Sequence, residues 1–244
     1  MQAEESRPAF YALQPGGWRD YVTLLHPPYT AWHLSYVAIG AALTSAFAWD
    51  RFLPTLAAFA LALGIGAHAL DELNGRPLRT AIPRSVLVAL AAVSIAGGVA
   101  IGIAGAVTVD PWIGAFVLAG AFIVLAYNLE LLRGRFHGDA WFALAWGAFP
   151  LLTAYFATAG DLDLVAAAGA VFAFLLSRAQ RLLSTPVRDV RRRVVSVEGH
   201  IERTDGTSEP ATPALLVRGN ESALQALTWA TVSLAVALVL MRVV

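Results

Sequence analysis

A pair of adjacent carboxylates near the end of an apolar segment is the sequence feature best suited to chemistry. The stretch GIGAHALDELNGRPLRTAIP, residues 64–83, carries Asp71 and Glu72 one turn after His68. On a continuing helix these residues lie at i, i+3 and i+4, which predicts a common face. Carboxylates bind Mg²⁺ while substrate phosphates supply further oxygens, and arginines grip the remaining phosphate charge. We therefore predict Asp71 and Glu72 as metal ligands and catalytic residues; the alternative is a solvated helix end with internal ion pairs.

Further polar residues extend this predicted site. A second cluster ends a later apolar segment in AYNLELLRGRFHGDAWFALAWGAFP, residues 126–150. Polar groups within an apolar helix are costly unless they face protein or water. Glu130 therefore either lines the same cavity or reaches the membrane surface, and both alternatives stay open. The predicted substrate-binding residues are His68, Asn74, Arg76, Arg79, Asn128, Glu130 and Arg133.

Composition restricts the class of protein that carries these residues. Hydrophobic residues make up 58% of the 244 positions and charged residues 14%, whereas soluble domains have about 45–50% apolar and about 25% charged residues. The chain has no cysteine, which excludes disulfides and thiolate metal sites. All 17 basic residues are arginine, so lysine-based covalent catalysis is excluded. With a net charge of +0, we expect no nucleic-acid partner.

Seven apolar segments have about the 20 residues that a helix needs to cross a bilayer. Short turns with proline, glycine or charge separate most of them, and the polar first 20 residues show no signal-peptide core. The sequence thus predicts an all-α integral membrane protein, a bundle of about seven transmembrane helices. The predicted spans are 30–49, 51–70, 85–107, 111–132, 140–159, 163–182 and 222–243.

The distribution of arginine predicts the orientation of this bundle. With seven spans, every arginine of the 17 except Arg51 and Arg242 falls on one side, which the positive-inside rule identifies as cytoplasmic. We expect a prokaryotic cell-membrane protein with the N-terminus cytoplasmic and the C-terminus outside. The predicted organisation is a membrane helical domain of six spans (1–182), a polar cytoplasmic loop (183–221) and a C-terminal transmembrane helix (222–244).

The predicted loop has two local features of its own. Its alternating residues and Asp205-Gly206 turn signal fit a small β-hairpin and a disordered linker equally well. The arginine run at 191–193 is typical of a topogenic anchor or an anionic-lipid contact.

Histidine offers a different chemistry. A membrane metalloenzyme could use nearby carboxylates together with four histidines, although these lack the closely spaced repeats of a di-iron site. A transporter would show an internal repeat with interrupted helices, and no convincing repeat is visible. The four histidines are His26, His33, His68 and His137.

Three stretches, taken in order, resemble the UbiA-type intramembrane prenyltransferase superfamily. LHPPYTAWHLSYVAIGAAL resembles the family's opening helix, and HALDELNGRPLRTAIP resembles its first acidic motif, NDxxDxxxD, with the following Arg-Pro-x-Arg element at 76–79. YNLELLRGRFHGDAWFALAWGAFP resembles the entry to its fifth helix. The chain departs from the family by its smaller set of carboxylates, by the single acid, Asp189, where a second motif is expected, and by about seven spans instead of nine.

The resemblance implies a helical bundle around a central cavity, with membrane lipids around it. It implies Mg²⁺-dependent transfer of a prenyl group from an isoprenyl diphosphate to a lipophilic acceptor. Asp71 and Glu72 would hold the metal, Arg76, Arg79 and Arg133 would bind phosphate, and Asn128 or Glu130 would orient a substrate. The alternative is a catalytically inactive UbiA-like module that binds a lipid or isoprenoid, or acts as a partner subunit.

Overall fold

A computed structural model describes residues 7–243, and most of these residues are helical. A two-stranded antiparallel hairpin is the sole sheet among them. The helices are α1 Trp18–Leu24, α2 Pro27–Ala42, α3 Trp49–Leu73, α4 Arg84–Thr108, α5 Ile113–Asn128, α6 Asp139–Ala159, α7 Leu164–Arg193 and α8 Pro213–Leu240, with a short turn at Leu131–Gly134; the strands are β1 His200–Glu202 and β2 Ser208–Pro210.

Five helices of the described chain, α3, α4, α6, α7 and α8, are long and apolar enough to cross a membrane. Helices also occupy the other two predicted spans, but α2 and α5 have 16 residues each. At 1.5 Å per residue they are about 24 Å long, shorter than the hydrocarbon thickness of about 30 Å. The membrane-protein class is thus supported, whereas the number of crossings stays a prediction.

The predicted ends of several elements differ from the structure. Helix α2 ends at Ala42, not at 49. Helix α7 continues to Arg193, and α8 already begins at Pro213, so the predicted loop over 183–221 shrinks to the segment 194–212. Polar residues on one face of a long helix lower its average hydropathy, and for this reason hydropathy alone ended both helices too early. The hairpin alternative is confirmed, since His200 pairs with Pro210.

Glycines bring the backbones of neighbouring helices together. A Cβ on Gly40 of α2 would lie 2.3 Å from the Leu151 carbonyl oxygen of α6, and one on Gly147 would lie 2.5 Å from the Ala173 oxygen of α7. Helix α6 is therefore packed tightly between α2 and α7. Such close backbone approach is the usual function of small residues in membrane bundles.

The two ends of the bundle differ in chemistry. At the end where α3, α5 and α7 finish, here called the arginine-rich end, most of the arginines collect. At the opposite end Arg51 donates to the Thr158 oxygen at 2.9 Å, and Arg242 donates to the Ala42 oxygen at 2.8 Å. These carbonyls lie in the last turns of α6 and α2, where no N–H group of the same helix is available to donate to them. Both arginines therefore close helix C-termini.

Candidate functional site

A polar chamber of about 370 Å³ lies at the arginine-rich end. The ends of α3, α5 and α7 and the beginnings of α2 and α6 surround it, together with the N-terminal residues 8–11. All four histidines singled out from the sequence line it, although they come from separate parts of the chain: His26, His33, His68 and His137.

Three of these histidines have defined tautomers because each contacts a backbone oxygen, and in His137 the Nδ1 atom lies 3.2 Å from the Tyr127 oxygen. His33 Nδ1 lies 2.7 Å from the Trp146 oxygen, and His68 Nδ1 lies 3.1 Å from the Gly64 oxygen. A carbonyl only accepts hydrogen bonds, so Nδ1 carries the proton and Nε2 of the neutral ring is an acceptor. Trp146 and Gly64 belong to the π-helical segments of α6 and α3, a distortion that frequently marks functional sites.

Three of the four histidine rings also stack on an aromatic neighbour. His26 lies parallel to His68 with ring centroids 4.1 Å apart, and His137 stacks on Tyr127 at 4.4 Å. The Tyr11 hydroxyl shares a 2.9 Å hydrogen bond with His26 Nδ1. His26 Nε2 is buried and has no hydrogen-bond partner among residues 7–243.

Burial sets the protonation states beside the N-terminal residues. It raises the pKa of the Tyr11 hydroxyl well above its ordinary value. Burial, followed by the charge of His68 and nearby arginines, lowers the pKa of His26 well below 6.5. Both groups are therefore uncharged at neutral pH, and they offer hydrogen bonds instead of charge.

Arginines of α7 give the chamber its positive charge. Arg188 donates to Ser184 Oγ at 2.9 Å and to Thr185 Oγ1 at 3.0 Å. In the part of the chain that the structure describes, neither Arg188 nor Arg192 forms a salt bridge, and the buried Nε of Arg192 has no hydrogen-bond partner. Unpaired guanidinium groups in a partly buried chamber favour an anionic ligand.

The two predicted metal ligands separate in the structure. Asp71 lines the chamber, whereas Glu72 is fully buried beneath the loop 74–83. Its Oε2 accepts from Leu78 N at 3.0 Å, and its Oε1 accepts from Thr80 N at 2.9 Å and Thr80 Oγ1 at 2.8 Å. The prediction that both carboxylates share one face with His68 is therefore wrong: Glu72 anchors the loop, and Asp71 alone faces the chamber.

Other predicted site residues also contact this loop or the surface. Arg76 donates to the Thr80 and Ile82 oxygens at 2.9 and 2.7 Å, which closes the loop. Of the predicted substrate-binding set, His68 and Asn128 line the chamber. The remaining members lie outside its lining: Asn74, Arg76, Arg79, Glu130 and Arg133.

The donor set does not fit the Mg²⁺ that the resemblance implies. Both oxygens of Glu72 are occupied by the loop. No group of three or more histidine, aspartate or glutamate side chains within residues 7–243 is arranged to hold a metal ion. The four histidines of the chamber likewise form no such group, although they line one cavity.

An apolar cleft of about 310 Å³ lies between α3, α4, α5 and α6. It extends from the polar chamber towards Asp50 and Arg51 at the opposite end. Leu63 and Trp146 line both the cleft and the chamber. A charged, hydrogen-bonding compartment and an apolar compartment therefore adjoin, which is the arrangement that an amphiphilic ligand requires.

Helix α7 contributes polar residues to the chamber that the predicted site did not include. Its polar residues recur every three or four positions within an apolar helix, and this period indicates a face turned towards a cavity. The arginine run at 191–193 is predicted as an anchor or lipid contact. In the structure Arg192 and Arg193 line the chamber, while Arg191 pairs with Glu221. The polar face consists of Ser177, Gln180, Arg181, Ser184 and Arg188.

Comparison with known proteins assigns neither family nor function, because no family model, curated protein or solved structure matches the chain.

Proposed function

We propose that this protein binds a membrane amphiphile, a lipid or an isoprenoid, through a phosphate-bearing head group. The head group of the ligand occupies the polar chamber, and the hydrocarbon chain of the ligand occupies the apolar cleft. The observation that carries this proposal is that the two compartments share Leu63 and Trp146. A molecule spanning this junction satisfies both compartments at once.

Charge selects an anionic head group. Arg188 and Arg192 offer guanidinium donors without a carboxylate partner among the described residues. Two acids line the chamber, Asp71 and Asp189, and Asp189 pairs with Arg193. Guanidinium groups bind phosphate through parallel hydrogen bonds with favourable charge. The chamber thus suits a phosphate better than a cationic head group.

We further propose the membrane topology that the distribution of arginine predicts. The chain crosses a prokaryotic cell membrane seven times, with the arginine-rich end and the N-terminus in the cytoplasm and the C-terminus outside. A polar chamber at the cytoplasmic surface would receive head groups there. Cysteine substitution and labelling in intact cells tests this: Ser208 of the hairpin should be inaccessible from outside.

Transfer of a prenyl group to a lipophilic acceptor is the second candidate, and it is the one implied by the UbiA resemblance. Asp71, His68 and Asn128 favour it, because these predicted site residues do line the chamber. Since the donor set does not fit Mg²⁺, we prefer binding without catalysis, as a lipid or isoprenoid module or a partner subunit.

Thermal stability of the full chain in detergent tests both candidates. A ligand at 100 times its Kd adds about 2.7 kcal/mol to the native state, which corresponds to a rise in melting temperature of roughly 5–10 °C. An isoprenyl diphosphate and a single-chain lipid phosphate should both raise it without Mg²⁺. The Arg188→Gln, Arg192→Gln double variant should lose the rise, whereas Arg133→Gln, outside the chamber, should keep it.

The outcomes separate the two candidates. A rise that needs Mg²⁺ and disappears in Asp71→Asn would favour the transferase. No rise with any phosphate amphiphile would contradict both. A rise that survives in the arginine double variant would contradict the assignment of the phosphate to α7.

A further inference from the structure

The inner end of the polar chamber, here called the floor, carries neutral hydrogen-bonding side chains, among them two acceptors. Tyr36 of α2 and Ser177 of α7 mark its lower limit, where their hydroxyls are 3.2 Å apart. His33 precedes Tyr36 by three residues and Gln180 follows Ser177 by three. Since α2 and α7 run in opposite directions, His33 and Gln180 lie in one layer, about 4.5 Å above that contact.

Both side chains of the floor are buried and incompletely bonded. His33 is 5% exposed and Gln180 is 2% exposed. The bond from His33 Nδ1 to the Trp146 oxygen leaves Nε2 as an acceptor. Gln180 Oε1 has no hydrogen-bond partner among the described residues. Buried acceptors without donors are rare in folded proteins and indicate a missing partner.

The guanidinium group that binds phosphate lies close to this floor. Helical side chains lean towards the helix N-terminus, and Arg188 accordingly contacts Ser184 and Thr185. Ser184 is one turn above Gln180, a distance of about 6 Å along the axis. One small head group can therefore present a phosphate to Arg188 and a hydrogen-bond donor to the floor.

We infer that the ligand is a single-chain phospholipid with a free hydroxyl between its chain and its phosphate, held by His33 and Gln180. This rests on the proposed binding function and narrows it. The order of compartments requires this arrangement: phosphate at Arg188, hydroxyl at the floor, and chain beyond Trp146 in the cleft. Glycerol and amino-alcohol backbones both supply such a donor, whereas an isoprenyl diphosphate ester has none.

The size of the cleft favours one chain. A water molecule occupies about 30 Å³ in the liquid, and a methylene group is of similar size. The cleft of about 310 Å³ therefore accommodates one chain of roughly ten carbons at this volume per group. A phospholipid with two chains would leave the second outside the cleft.

The experiment compares matched ligands on the full chain in detergent. The probes are 1-dodecanoyl-glycerol 3-phosphate, its analogue with hydrogen in place of the 2-hydroxyl, dodecyl phosphate and geranyl diphosphate. We expect the hydroxylated ligand to bind about tenfold more tightly than the deoxy analogue, the ratio that corresponds to a hydrogen bond of ordinary strength. In Gln180→Leu and in His33→Phe this ratio should fall towards one while the deoxy analogue keeps its affinity.

The possible outcomes distinguish this inference from the proposed function. Equal binding of the hydroxylated and deoxy ligands, or tighter binding of geranyl diphosphate, overturns the hydroxyl site and leaves phosphate binding in place. Absence of binding by every probe overturns both. Because His33→Phe also removes the bond to Trp146, Gln180→Leu decides the outcome if the former variant fails to fold. Arg133→Gln is the control and should keep the tenfold ratio.

Discussion

The substitution Glu72→Gln distinguishes a structural carboxylate from a metal ligand. Glu72 is fully buried and accepts three hydrogen bonds from the loop 74–83, at 3.0, 2.9 and 2.8 Å. A glutamine keeps one oxygen for Thr80 and turns an NH₂ group towards the amide of Leu78. One acceptor becomes a donor that faces another donor, so the variant both loses a bond and leaves buried groups unsatisfied.

The magnitude follows from these contacts. A hydrogen bond to a charged group contributes about 1.5–3 kcal/mol, and a buried group left unsatisfied costs about 1–3 kcal/mol. We expect a total loss of roughly 2–4 kcal/mol, below the sum because the loop can relax. For a chain of this size that loss lowers the melting temperature by roughly 4–16 °C.

The assay is thermal unfolding in detergent at a fixed scan rate, with limited proteolysis of the loop 74–83 as a second measurement. Asp71→Asn is the matched control, because Asp71 lines the chamber and no hydrogen bond to its side chain joins it to another described residue. It should change the melting temperature by less than about 2 °C, which corresponds to a change of about 0.5 kcal/mol in the free energy of unfolding. Equal stability of the two variants would refute the anchoring function of Glu72.

Three further outcomes follow from the packing and the buried histidine. Gly40→Ala should lower stability by about 1–3 kcal/mol, because its Cβ would meet the Leu151 oxygen; Gly219→Ala, with open space around it, should not lower it in the same melts. Arg51→Gln should lower the free energy of unfolding by about 1–2 kcal/mol, because it removes the guanidinium donor to the Thr158 oxygen at the end of α6. Because the folded pKa of His26 is depressed, stability is complete above pH 6.5 and falls by up to about 1.4 kcal/mol per unit below it; His26→Asn, which tolerates the same backbone, should flatten this dependence in a pH series.

The positions of the helices could be predicted from the sequence because hydropathy is a local property. An apolar segment of 20 residues is helical in a bilayer whatever its neighbours, since no other local structure satisfies its backbone. The arginine-rich end was also foreseeable from positions along the chain. The adjacent acids Asp71 and Glu72 were visible in the sequence, but their different surroundings, the chamber for Asp71 and the loop 74–83 for Glu72, were not.

Tertiary structure decided the chemistry of the site. The acceptor on His33 depends on Trp146, a partner 113 residues away, and the saturation of Glu72 depends on how the loop 74–83 folds back over α3. The glycine contacts of α6 allow α2 and α7 to pack closely against it, and in this packing the polar face of α7 lines the chamber. Hydrogen-bond partners and burial are set by which segments meet in space, whereas apolar length is set residue by residue, and so the sequence alone determined the helices but not the site.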